Sequence, residues 1–432
     1  MLAPPIPGLR GRPDGAPTFT ALAGWVALAL CFVLVMGLGG ILLPPNGFAE
    51  APRADAAKVY DEAQAAEQAK QFNRAIEGYR EVVKRWPGSP KAPQAQLHVA
   101  HILACTGRPE QALLEYQQVR TLFASSPEAA TALEQMSTYY RWERTRIGVT
   151  PAGAPDPAPF VAKSLGTNLP DTFEDPRSAF VNSSGQLMVF DKHRKRVFRF
   201  SLNGDLIEAI SYSSPQVMAR TEIGTASDTF VADGESIRIL GKPESFSLPN
   251  PQKRSESGLK NITALGLSAS GDLWTTSSDL PGALKYSVER KTGETTAVAL
   301  VPKNVRAIEF DFYGNVYFLD TKQSRIVAIS PSGETRATIS PDSGNVRLSA
   351  ITDFYIDPFN QLFLLDAEDR VIAVFAIRAD WDQKIELLPL TRVAWGQLSP
   401  GPEFRSVRTF AVAGTGEMFL VAHKSGRILK VF

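Results

Sequence analysis

The sequence predicts a multidomain chain of three parts: a single transmembrane helix, an all-α array of helical hairpins, and an all-β six-bladed propeller. Three observations predict it. An uncharged apolar run occupies residues 20–43, a helical segment repeats itself within residues 56–147, and one strand–turn–strand pattern recurs through residues 159–432. A chain of 432 residues has room for all three. Its charge is nearly balanced, 46 basic against 45 acidic residues, which excludes a global field drawing it to nucleic acid. Two cysteines, Cys31 and Cys105, cannot build a disulfide framework.

The first part is TALAGWVALALCFVLVMGLGGILL at residues 20–43, ended by Pro44 and Pro45. About 20 helical residues cross a bilayer core, whereas a secretory signal has an apolar region of roughly 7–15 residues. A retained anchor is therefore the expectation, with a cleaved signal as the alternative. Arg10 and Arg12 precede the run, so residues 1–19 read as a short cytoplasmic tail. The expected localisation is a single-pass membrane protein whose body, beyond residue 50, faces the periplasm or the exterior.

Residues 57–147 are rich in Ala, Glu, Gln and Arg and lack β-branched runs. Ala75, Tyr79, Val82 and Pro90 recur as Ala112, Tyr116, Val119 and Pro127, a period of about 37 residues that marks stacked helical hairpins. The small alanine lets two helices approach, the tyrosine fills the next turn, and the proline is expected to stop the second helix. A fifth helix, EAATALEQMSTYYRWERTRIGV, would cover the open apolar face of the stack. His98 and His101 share a helix face, and without further ligands nearby they read as packed or solvated side chains. The segment resembles the tetratricopeptide repeat through Ala63, Phe72, Ala75, Tyr79 and Pro87 in one copy, and Ala100, Gly107, Ala112 and Tyr116 in the next. That resemblance implies a groove for peptides or partner proteins; a packed spacer is the other reading.

Residues 148–158, around PAGAPDPAP, read as a stiff, solvated linker. Beyond it the composition turns to Val, Ile, Phe, Ser, Thr and Gly with period-two alternation. LMVFDKHRKRVFRF, VYFLDTKQSRIVAI and LFLLDAEDRVIAVF are copies of one pattern: a strand ending in Asp, a polar turn, a basic residue and a second strand. Tight-turn positions precede them at 185, 227, 271, 314, 360 and 416. Six units of about 40–50 residues, each with four short strands, point to six propeller blades. The pattern resembles the NHL repeat, with Asp191, Asp233, Asp320 and Asp366 at the Asp position. Arg196, Lys285, Arg325, Arg370 and Arg427 stand at the basic position, and Ser277, Ala422 and Ser236 are departures. A feature recurring in most blades reads as structural, with the Asp and the base bridging the turn. Blade six lacks a fourth strand after Phe432, and PFVAKSLG at 159–166 is expected to supply it and close the ring.

For function, the best candidate site is the basic face formed by Lys192, Arg194, Lys195 and Arg196 of blade one with Lys424 and Arg427 of blade six. Lys322 and Arg325 of blade four add to it. The favoured reading is a non-enzymatic, envelope-anchored scaffold that binds protein partners through its helical repeats and this face, with no cofactor, no metal and no nucleic acid. The same charges also read as ordinary solvated turns. The alternatives are a lactonase-like propeller hydrolase, with Glu174, Asn261 and Asp353 caging a metal in the channel, and a ligand-sensing propeller.

Overall fold

In the computed structural model the described residues are 53–143, 162–165 and 173–431, apart from short segments at 183, 220–227, 252–257, 269, 296–299, 344–346, 380–383, 399–401 and 415. The chain divides into two compact units, Met1–Arg53 and Ala54–Phe432. The apolar run 20–43 and the linker 148–158 lie outside the described residues. No helix among the described residues is long and apolar enough to cross a membrane.

Five helices are described, lying in the second unit from Ala54 onward: α1 (Arg53–Gln68), α2 (Phe72–Arg85), α3 (Lys91–Cys105), α4 (Pro109–Leu122) and α5 (Pro127–Glu143). From α2 onward each packs on the next in sequence. The residues that recur along the segment occupy matching places: Ala75 and Ala112, Tyr79 and Tyr116, and Val82 and Val119 are all fully buried. The prolines act differently from expectation. Pro90 is the N-cap of α3 and Pro127 is the first residue of α5, so they begin helices, where a fixed φ and a missing N–H cost nothing. His98 and His101 are packed side chains. The His98 ring stacks on Tyr79 and its Nδ1 lies 3.0 Å from Glu67, while His101 sits 3.5 Å from the Cys105 Sγ.

The remaining strands form six four-stranded antiparallel sheets. Their innermost strands are Pro176–Val181, Pro215–Met218, Ile262–Leu267, Val305–Phe310, Asp353–Ile356 and Val407–Val412, for blades one to six. One buried apolar cluster fills each space between neighbouring blades, including that between blade six and blade one. The ring is closed as the sequence predicts. Ala162–Leu165 pairs antiparallel with Ile428–Val431, in the register Ala162↔Val431 to Leu165↔Ile428. Left-handed backbone at Gly185, Gly271, Gly314, Asn360 and Gly416 marks the tight turns, and position 227 lies outside the described residues.

The recurrent Asp is a backbone clamp. Asp366 is fully buried and accepts from the amides of Ser349, Ala350, Glu368 and Asp369, joining the incoming loop to its own turn. Asp191 does the same for Glu174, Asp175 and Arg194. The bridge to the base is slight by comparison, with Arg325 Nε 4.0 Å from Asp320. Two positions correct the sequence alignment. In blade two Arg238, rather than the residue at Ser236, reaches Asp233 at 3.1 Å. In blade three Lys285 lies inside the third strand, Ala283–Ser287, and pairs with Asp272 at 3.2 Å. Blade three also starts its fourth strand earlier than ETTAVAL, at Thr292–Thr295.

The helices dock on one end of the ring. Their apolar core includes Phe359, from the first turn of blade five. Phe72 stacks on Phe312 of blade four at 4.9 Å, and His101 meets Phe312 and Phe359 edge-on. Asn360 donates to the Cys105 carbonyl at 3.0 Å, and the Cys105 thiol donates to the Pro358 carbonyl at 3.2 Å. All these propeller residues belong to turns between first and second strands. Because the strands alternate in direction, the turns between second and third strands emerge at the opposite end.

Candidate ligand surfaces of the propeller

The residues of the predicted basic face stand on those opposite turns, away from the helices. Lys192, Arg194, Lys195, Lys322 and Lys424 are exposed, and Arg196, Arg325 and Arg427 are half-buried. Lys195 holds left-handed backbone, φ 55°, at the turn place that Ser324, Arg370 and Gly426 fill in other blades, and Lys424 does so two residues earlier in its own turn, φ 58°. Blades one and six adjoin through their inner strands, which brings Lys192–Arg196 and Lys424–Arg427 onto one sector. Lys322 and Arg325 share the end of the ring but not the sector, because blade five intervenes with Glu368 and Asp369. Acids also thread the patch: Glu174 lies 3.2 Å from His193 Nε2 and 3.5 Å from Arg194 Nε. Burial, then the charges of Arg408 and Lys424, push the His423 imidazole below its ordinary pKa, which keeps it neutral at pH 7.

The same end of the ring opens into the channel, where sequence reading missed a second set. The pairing of first and second strands slips at the second residue of the inner strand in five blades. Such a bulge leaves one residue out of the ladder and turns it aside. Those residues are Arg177, Gln216, Thr263, Arg306 and Arg408. The first four, with Lys192 and the buried Glu309, line a cavity of about 310 Å³ between the inner strands of blades one to four. Arg306 reaches across to blade six, donating to the Arg408 carbonyl at 3.1 Å, and Arg177 pairs with Asp175 at 2.8 Å. The signal was present in PRSAFV, PQVM, ITALGL, VRAIEF and VRTFAV, each polar or basic at its second position. It is visible only when inner strands are aligned with one another.

The three residues considered for a metal cage each have a partner of their own. Glu174 faces His193 and Arg194, Asn261 donates to Asp279 at 3.3 Å, and Asp353 accepts from the Thr409 hydroxyl at 2.8 Å. Among the described residues no group of three His, Cys, Asp or Glu side chains is placed to hold a metal ion.

No family model matches the chain, and no curated protein matches it. Solved structures of similar shape include catalytically inactive virginiamycin B lyase from Staphylococcus aureus, 12% identical, covering 62% of this chain and 99% of that one, with a TM-score of 0.43. An auxiliary nutrient binding protein from Bacteroides ovatus is 13% identical over 63% of this chain and 76% of its own, with a TM-score of 0.42. The RRP9 WD40 repeats are 10% identical over 63% and 97%, with a TM-score of 0.40. An enzyme, a binding protein and a repeat domain match about equally well. Such likenesses assign no activity, and the six-bladed ring stands on its own sheet topology.

Proposed function

We propose that this chain is a non-enzymatic interaction protein of the cell envelope. In this reading residues 20–43 tether it, and residues 54–432 form an exported body that binds protein partners. The helical hairpins act as a tetratricopeptide-type module and the ring as an NHL-like propeller. The observation that carries the reading is the docking of the helices on one end of the ring. It produces one body with binding surfaces on two sides: the basic turns at the far end, and the outer helices. On those helices Leu114, Leu122 and Leu133 are 68%, 59% and 48% exposed, large apolar side chains of the kind a protein-docking surface would use.

Affinity capture of the full chain from solubilised envelope tests this, beside two variants: Arg194→Glu with Lys195→Glu, and Leu114→Asp with Leu122→Asp. Reproducible partners, a subset of them lost with each variant, fit the scaffold. Recovery of nothing beyond an empty-tag control contradicts it. A second reading, a ligand-binding or catalytic channel, draws on the arginine-lined cavity. Its mark would be a small molecule retained by the purified chain and released by Arg306→Leu.

A further inference from the structure

A groove of about 1030 Å³ lies where the helical hairpins meet the propeller, on the end of the ring opposite the basic turns. One wall is made by residues 69–71 between α1 and α2 and the first turn of α2, Phe72 to Arg74, together with Thr106 and Arg108 before α4. The other is made by Tyr313, Asn315, Ser330–Ser332 and Arg336 of blade four and Arg378 of blade five. Five cations line it, Lys70, Arg74, Arg108, Arg336 and Arg378, and no Asp or Glu stands among the lining residues. The chain as a whole carries a net charge of only +1, so this is a local concentration rather than general basicity.

The internal contacts of these cations are mixed: Arg74 and Arg108 meet neutral acceptors, whereas Lys70 lies in the field of the buried Asp311 and Arg336 beside Glu334. Arg74 donates to the amide oxygen of Gln71 and Arg108 to the hydroxyl of Thr106, both neutral acceptors. Lys70 donates to the Phe312 carbonyl, and Arg336 lies 3.0 Å from the exposed Glu334. Burial pushes the Arg108 guanidinium below its ordinary pKa; Tyr313 opposes the shift, and the neighbouring charges of Arg80 and Arg378 add to it. Holding like charges together in a partly desolvated groove is unfavourable unless an anion enters.

We infer that this groove binds an acidic peptide segment of a protein partner, its carboxylates paired with the guanidinium groups of Arg74, Arg108 and Arg378. Four of the five cations are arginines, whose planar forks match carboxylates two bonds at a time. The volume is at the upper end of small-molecule sites, about 300–1,000 Å³, and far exceeds one inorganic anion. Phe72, Tyr313 and Pro331 give the walls apolar surface for the stems and backbone of a peptide. The inference names the partner chemistry for the scaffold reading and rests on it. It also places that contact away from the basic turns.

The test is fluorescence anisotropy of a labelled oligoglutamate peptide titrated with the detergent-solubilised full chain, beside an oligoglutamine peptide of equal length. Oligoglutamate is expected to bind, weaken steeply with added salt, and exceed oligoglutamine by about tenfold or more. Arg74→Gln combined with Arg378→Gln is expected to weaken it about tenfold, more than Arg194→Gln with Lys195→Gln does, and Lys163→Gln with Lys303→Gln, exposed positions outside the groove and the basic face, to leave it unchanged. Arg378 also packs on Gly107, so Arg74→Gln alone, at an exposed helix position, keeps the test valid if the double variant misfolds. Equal binding of both peptides, no binding, a loss through the basic-turn variant at least as great as through the groove variant, or displacement by millimolar inorganic phosphate each overturns the inference. Failure to capture partners from the envelope, with oligoglutamate still bound at the groove, would remove the scaffold reading and leave the acidic-ligand site standing.

Discussion

The ring and the helix–ring junction of this molecule are held by different means. In the ring one solution is repeated: an Asp clamp, a left-handed turn and an apolar cluster between blades, with Ala162–Leu165 as the last strand of blade six. At the junction nothing repeats. Phe72 on Phe312, His101 between two phenylalanines and Asn360 on the Cys105 carbonyl each occur once. A repeated device spreads stability over many equivalent contacts, whereas a unique interface concentrates it in a few side chains. The two regions should therefore respond differently to single substitutions.

The largest effect is expected at the closure of the ring. Leu165 is buried among Phe173, Phe198 and Phe200 of blade one and Phe419 of blade six, and its Cβ would stand only 2.6 Å from a Cβ added to Gly204. Leu165→Ala should cost about 2–5 kcal/mol, read by chemical denaturation, and should lower the whole propeller transition rather than loosen blade six alone. Asp366→Ala comes next. Four backbone amides lose a buried, charged acceptor, which should cost about 3 kcal/mol. An equal response in blade six is ruled out by its sequence, because Ala422 occupies the Asp position there and the His423 amide bonds to the Ser406 carbonyl at 2.7 Å.

The junction should show itself through pH. Asp311, next to Phe312, accepts from the Asn315 amide and side chain and from the Tyr317 hydroxyl. Burial nevertheless raises its pKa to about 6. An acid whose folded pKa exceeds its unfolded value stabilises the fold fully below about pH 4 and loses that contribution as pH rises through about 6. The span is worth about 3 kcal/mol. Replacing Asp311 with Asn should flatten the stability profile across that window, measured by denaturation at stepped pH. His101 works in the other direction. Burial lowers its pKa to about 4, so its contribution is present above about pH 6.5 and lost as pH falls toward 4. The smallest global effect is expected from Phe312→Ala, about 2 kcal/mol for a half-buried ring. It should split one unfolding transition into two, with the helices released first, a split that Leu165→Ala does not produce.

This contrast explains what could be read from the sequence. The blades were legible because the Asp, the turn glycine and the alternation each return several times, so PFVAKSLG could be assigned to blade six from what blade six lacked. Arg238 and Lys285 were misaligned because the clamp tolerates its base at several places along the strand, and no single spacing defines it. The helical segment was legible through Ala75, Tyr79 and Val82 and their later counterparts. Its prolines misled, since a proline at a helix boundary suits the start of the next helix as well as the end of the last. The docking surface was not legible. Phe312, Phe359 and Asn360 are turn residues whose partners lie far away in the chain, and no local pattern couples them to His101 or Cys105. The channel arginines were hidden for a further reason: a bulge changes where one side chain points without changing the composition of its strand.

The central claim is that the helices sit on the turns of blades four and five, at the end opposite the basic face. A Cβ built at Gly107 would stand 3.3 Å from the Cβ of Arg378, close to the separation of about 3.5–4.5 Å that a disulfide spans. The most direct measurement is oxidation of the full chain carrying Gly107→Cys and Arg378→Cys, with the linked peptides mapped by mass spectrometry beside a Gly107→Cys, Lys424→Cys control. The account predicts a 107–378 link in the first protein and no 107–424 link in the second. Linkage to position 424, or no linkage in either protein, would contradict it.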